Sequence, residues 1–239
     1  MKILTTSIVA AVVMAGASAH AATYDFKAAA NSGGGIGESA YTVYDTSPFF
    51  VGPSISITAG DYIGDANEPS DAFVYFDAGN AGIGVCNELT ETGTEKLNTA
   101  TNGGGNLCSP SSDDGLTTTG EFLTFTANEA MTIDSLWLNS NHDLGTITDT
   151  IWDIFVNDVF FASYGLAEMT ANLLSGTGDD VMISLGFTLG IGDDFTLRGA
   201  RGPNSYVSGL SVTPVPLPAA GWLLIAGLGG LAAMRRKKA

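Results

Sequence analysis

The chain has 239 residues, 45% hydrophobic and only 14% charged, with 25 Asp and Glu against nine Lys and Arg for a formal charge of −16. Five of the nine cations (Lys2, Arg235, Arg236, Lys237 and Lys238) lie at the termini, so residues 22–214 hold four cations against all 25 acids, a net −21. An acidic field of that size repels phosphate backbones and anionic headgroups, which speaks against a nucleic-acid binder or a polybasic membrane-surface protein, and the alternating apolar pattern speaks against disorder.

The N-terminus begins with a short basic start at Lys2 and an apolar run from Ile8 to Ala17. Ala17-Ser18-Ala19 and Ala19-His20-Ala21 then each offer small residues at the two positions a signal peptidase reads. Residues 1–21 are expected to be a secretory signal peptide. The apolar core is short for a membrane span, and no cysteine lies near the processing point to suggest a lipoprotein.

Residues 22–214 are within the range of one domain, and alternation is the main pattern along them. Ile55 and Ile57 alternate with Ser54, Ser56 and Thr58, and Leu123 and Phe125 with Thr124 and Thr126. Val181, Ile183, Leu185, Phe187 and Leu189 alternate with Met182, Ser184, Gly186 and Thr188, which puts five apolar side chains on one strand face. Further strands are expected over 73–77, 131–138, 151–156, 159–164, 195–199 and 206–213. Asn157-Asp158 reads as a hairpin turn, since both residues tolerate positive φ. No stretch has a convincing helical period, although 165–174 could form one short helix. Eight or more short strands broken by Gly, Asn, Asp and Ser turns imply an all-β fold, a single β-sandwich of jelly-roll type, with a barrel as the alternative.

Cys86 and Cys108 are the only cysteines. In an oxidising, exported setting they are expected to pair, closing a loop around the glycine-rich Asn102–Asn106; two free buried thiols are the alternative. Asp113-Asp114, Asp179-Asp180 and Asp193-Asp194 are acidic doublets in turns. Carboxylates and carbonyls there could converge on calcium, with Asp193 and Asp194 the favoured ligands, while acidic turns that keep an exported protein soluble account for the same residues. A tetrahedral zinc site of nitrogen and sulfur ligands is not available, because His142 and the two cysteines, expected to be paired, are the only such donors left after signal cleavage. A Ser-His-Asp triad would also need His142, yet no Gly-x-Ser-x-Gly elbow is present. Trp137, Trp152, Tyr164 and Tyr206 are candidate sugar-stacking aromatics, although aromatic residues in strands are more often core.

Residues 215–239 have three parts in order. Val215-Pro216-Leu217-Pro218-Ala219 is held extended by its prolines, an uncharged stretch runs from Ala220 to Met234, and Arg235-Arg236-Lys237-Lys238 closes the chain. Counted from Leu217, the apolar stretch is 18 residues, about the minimum for a transmembrane helix. The basic cluster would stop translocation and keep the tail cytoplasmic.

This tail resembles the PEP-CTERM class of sorting signals, and closely its VPLPA-CTERM variant; the match covers about the last 25 residues. The resemblance implies that an exosortase, a membrane-embedded cysteine transpeptidase, removes the tail and hands the passenger to the cell envelope or extracellular matrix of a Gram-negative bacterium. Val215, Pro216, Leu217, Pro218 and Ala219 would be the recognition motif, with Leu217 in place of the Glu of the plain form. Leu217-Pro218-Ala219-Ala220-Gly221 also resembles the Leu-Pro-x-Thr-Gly signal of sortases, but Ala220 replaces the threonine of the acyl-enzyme. A single-pass anchor that is never cut is a further alternative.

The passenger is similar, more loosely, to those often carried on VPLPA-type tails. The shared stretches are Val74-Tyr75-Phe76-Asp77, Gly82-Ile83-Gly84-Val85, Glu121–Phe125, the Asn/His/Asp cluster at Asn139–Asp143, and Tyr206–Val212. That similarity carries no established activity. The expected function is an exported, non-enzymatic envelope or matrix protein, anchored in the inner membrane until processed. Its partners would be signal peptidase, an exosortase-type enzyme and exopolysaccharide. The alternatives are a calcium-dependent carbohydrate-binding module and a secreted hydrolase.

Overall fold

Alternating apolar side chains need an element of period two, and the chain answers almost everywhere with strands. The computed structural model describes residues 20–33, 36–38, 40–43, 52–61, 70–88, 108, 115–116, 120–140, 151–174, 180–201 and 205–216. The expected signal peptide (1–19 of it), the tail from Leu217 through Arg235, Arg236, Lys237 and Lys238, the Asn102–Asn106 loop and His142 lie outside the described residues. Among the described residues, no helix is long and apolar enough to cross a membrane.

Strand β1 (Ala22–Asp25) runs straight into helix α1 (Phe26–Gly33). The Asp25 carboxylate accepts the Ala28 amide at 2.8 Å, an N-cap that starts the helix, and Phe26, Ala29 and Ala30 form its buried face. This helix corrects the expectation of none in this region: two of its three apolar anchors are alanines, which leave little hydrophobic signature in the sequence.

Then come β2 (Ile36–Glu38), β3 (Ala40–Val43), β4 (Ile55–Asp61), β5 (Ser70–Asp77), β6 (Gly82–Cys86) and β7 (Phe122–Ala127). They are followed by β8 (Met131–Ser140), β9 (Ile151–Val156), β10 (Val159–Tyr164), β11 (Thr170–Ala171), β12 (Val181–Leu189), β13 (Asp194–Arg201) and β14 (Ser205–Pro214). The strands expected from alternation are all present: β9, β10 and β12 have the expected bounds, and the others run up to a few residues longer. The short helix expected over 165–174 is reduced to a 3-10 turn at Leu166–Glu168, capped where Glu168 Oε2 accepts the Gly165 amide at 2.9 Å, and β11 follows it.

The strands make one curled antiparallel sheet, ordered β10-β9-β13-β7-β4-β5-β6-β14-β8-β12-β11, with β1, β2 and β3 pairing β14, β5 and β4. The curl passes through β5. Ser70–Ala72 pair with β4, whereas Phe73–Asp77 pair with β6, so one strand serves both halves of the sheet. Gly82 sits at the start of β6 with φ 121°, where a Cβ would run into the Val207 carbonyl oxygen of β14. A side chain there would push the two strands apart.

Both halves feed one core. Ile55, Ile57, Leu123, Phe125, Ile154 and Leu197 meet Ile133, Leu136, Leu138, Ile183, Val207 and Leu210 in a single cluster, and Phe187 of β12 contacts Phe195 of β13 with ring centroids 5.6 Å apart. Burial of each such side chain contributes roughly 1.5–3 kcal/mol. Trp152 and Tyr206 also lie inside, and Trp137 is 9% exposed, so these three are core aromatics and not a sugar platform. His20–Val215 form one compact unit.

Candidate functional site

The core side of β4, β7, β13 and β9 takes the apolar residues, so the alternate positions must face outward, and their register can be read across the sheet. Phe160, Phe155, Thr196, Thr124 and Thr58 are successive cross-strand partners from β10 to β4. Two residues along on β9, β13, β7 and β4, and three on β10 because of its bulge after Phe160, the partners are Ser163, Asp153, Arg198, Phe122 and Gly60. In the other direction, Asp194, Thr126 and Ser56 form a third row, next to the turn that carries Asp158. This face is rich in hydroxyls and interrupted by phenyl rings.

A cleft of about 400 Å³ opens on it, lined by Phe122, Thr124, Phe155, Asp158, Asp194, Thr196 and Arg198. Several local contacts fix its walls. Thr124 and Thr196 share a hydrogen bond of 2.9 Å across β7 and β13. Phe155 meets Phe160 edge to face, centroids 5.7 Å apart, and Phe160 remains 55% exposed. Phe122 lies over Gly60, where any Cβ would collide with its ring, so the glycine lets this phenyl lie across β4.

The hairpin between β9 and β10 aims Asp158 at the cleft. Asn157 and Asp158 have φ of 48° and 62°, the left-handed pair of a type I′ turn, and the Asn157 side-chain oxygen accepts the Asp194 amide at 3.0 Å. Burial pushes the Asp194 carboxyl above its ordinary pKa, and the nearby negative charges of Asp158 and then Asp193 push the same way.

The expected calcium pair separates in role. Asp193 Oδ2 accepts the Gly190 amide at 2.7 Å and so closes its own turn, whereas Asp194 lines the cleft. Among the described residues, no group of three or more His, Cys, Asp or Glu side chains converges as a metal site requires. Asp180 serves the interior, paired with Lys27 at 3.1 Å. Cys86 and Cys108 are joined, with Cα atoms 5.7 Å apart, beside Tyr75 in a small satellite cluster. Asn139, from the Asn/His/Asp cluster, is buried and donates to the Asn80 and Ala81 carbonyls at 2.7 and 2.6 Å, which is structural work.

Of the sorting motif, Val215 and Pro216 are described. The Val215 amide still donates to the Ala130 carbonyl at 2.9 Å, and both residues are exposed. Leu217, Pro218 and Ala219 lie outside the described residues. Sequence reading named Asp194 but missed Phe122, Phe155, Phe160 and Arg198. The only available signal was parity, and it was clean for two of them: Phe122 and Arg198 are outward positions between buried neighbours, whereas Phe160 stands among the exposed Val159 and Phe161.

No protein-family model, curated protein or solved structure matches this chain.

Proposed function

We propose that this is an exported, non-enzymatic β-sandwich of jelly-roll type, delivered to the envelope or extracellular matrix of a Gram-negative bacterium by a VPLPA-type tail and an exosortase-type transpeptidase. The observation that carries the reading is the order Val215-Pro216-Leu217-Pro218-Ala219, uncharged stretch, Arg235-Arg236-Lys237-Lys238 at the end of an acidic chain that opens with a signal-like segment. The end of the fold supports it. Strand β14 finishes at Pro214, Val215 keeps one ladder-like bond to Ala130, and Pro216 is exposed, so the motif leaves the body with no spacer. A single core fed from both halves of the curled sheet, with Phe187 against Phe195, supports the sandwich reading. The Cys86–Cys108 disulfide is in keeping with an oxidising destination.

Intact mass of the protein recovered from a host carrying an exosortase tests the proposal. The expected mature form lacks Trp222–Ala239, and Pro216→Ala with Pro218→Ala retains them. A wild-type chain that keeps Trp222 through Ala239 overturns the reading in favour of a permanent anchor.

A further inference from the structure

The outward face of β4, β7, β13, β9 and β10 has no role in the fold's core and none in sorting. Its rings are placed at intervals. Phe122 on β7 and Phe155 on β9 are separated by one intervening strand and offset by two residues, which puts them about 12 Å apart from ordinary strand spacing and rise. Phe160 extends the same row by one more strand. Between the rings stand the Thr124 and Thr196 hydroxyls, the Asp194 carboxyl and the Arg198 guanidinium. An apolar partner, whether lipid or a protein core patch, would bury these polar groups without compensation. A polyanion would meet Asp153, Asp158 and Asp194 against Arg198, on a body of net charge −21.

A chain of neutral sugar rings satisfies both demands. Its C–H faces stack on phenyl rings, and its hydroxyls donate to carboxylates and exchange hydrogen bonds with threonine. We infer that this face is a binding site for an extended neutral polysaccharide, with Phe122, Phe155 and Phe160 as stacking platforms and Asp194, Arg198 and the Thr124–Thr196 pair as hydroxyl partners. The side chains hold the glycan directly, without a cation. The inference goes beyond the sorting reading and does not depend on it, because an unprocessed chain carries the same face.

Affinity electrophoresis of the full-length chain in detergent tests it, using native gels cast with a β-glucan, a mannan, a galactan or the polyuronate alginate, each with and without EDTA. At least one neutral polymer is expected to retard the chain, equally in EDTA, and alginate is not. Phe155→Ala and Phe160→Ala each weaken the retardation about tenfold, a loss of about 1.4 kcal/mol, with unchanged circular dichroism. Phe160 is largely exposed, so its variant tests binding even if Phe155→Ala disturbs folding. Four results overturn the inference: no retardation by any neutral polymer, retardation by alginate instead, loss of binding in EDTA, or full binding by the Phe160→Ala chain. Shortening of the retained polymer would also overturn it, since Asp158 and Asp194 would then be acting as hydrolytic carboxylates.

Discussion

Lys27 Nζ lies 3.1 Å from Asp180 Oδ2 and 3.4 Å from Oδ1, with both side chains almost wholly buried, so α1 is tied to the start of β12 across 153 residues of sequence. Asp180 also accepts the Leu174 amide at 3.1 Å, which fixes the segment before β12 to the same point. A buried pair contributes little net stability beyond what apolar replacements would supply, but removing one partner strands the other in a dry interior. Lys27→Met alone is expected to cost about 3–5 kcal/mol in urea denaturation, and adding Asp180→Leu is expected to recover most of it. Equal losses from the single and double variants would show that shape, not charge, is what the pair provides.

The disulfide acts through the unfolded chain. Cys86 and Cys108 are 22 residues apart, and closing a loop of that size stabilises by about 3 kcal/mol in the chain-entropy model. Reduction should therefore lower the thermal midpoint by several degrees. A chain carrying Cys86→Ala and Cys108→Ala should start at the lower midpoint and ignore reductant.

Asp194 gives the stability curve a defined slope. Its folded pKa is above the ordinary value of 3.8, so between the two values the folded state holds the proton more tightly than the unfolded state does. The stabilising contribution is complete below the unfolded pKa and disappears as pH rises through the folded one. Asp194→Asn should thus remove this fall in stability with rising pH and raise stability at neutral pH relative to wild type. Chemical denaturation at pH 3 and pH 7 reads the difference.

The Asn157-Asp158 turn depends on two left-handed residues. Asp158→Val places a β-branched side chain at φ 62° and should cost about 1–2 kcal/mol, measured by thermal melting. Asp158→Gly should be neutral or stabilising. It should also move the Asp194 titration back toward the ordinary value, because it removes the neighbouring carboxylate with the stronger effect on it. A tyrosine or aspartate signal followed by NMR across the acid range checks that shift.

Much of the strand content was legible because a half-buried strand writes its two faces directly into the sequence. The run 181–189 became β12 with Val181, Ile183 and Leu189 buried, although a bulge between Ser184 and Phe187, with Gly186 at φ 78°, left Leu185 and Phe187 only partly covered. Helix α1 was not legible, since Ala29 and Ala30 occupy the apolar stripe without announcing it. The candidate site was nearly silent as well. Phe122, Phe155 and Phe160 look the same in sequence as the core rings Phe125 and Phe195, and only register and burial separate them.

By itself, the sequence determined the acidic, strand-rich body, the hairpin at Asn157-Asp158 and the tripartite tail, because charge, period and proline spacing are local properties of the chain. Tertiary structure alone decided that Trp152 and Tyr206 are core and that Asp194 faces a cleft with Arg198 and two phenylalanines. The physical reason is pairing: which strands lie side by side is set by long-range packing around a common core, and a site spread over β7, β13 and β9 does not exist until they do.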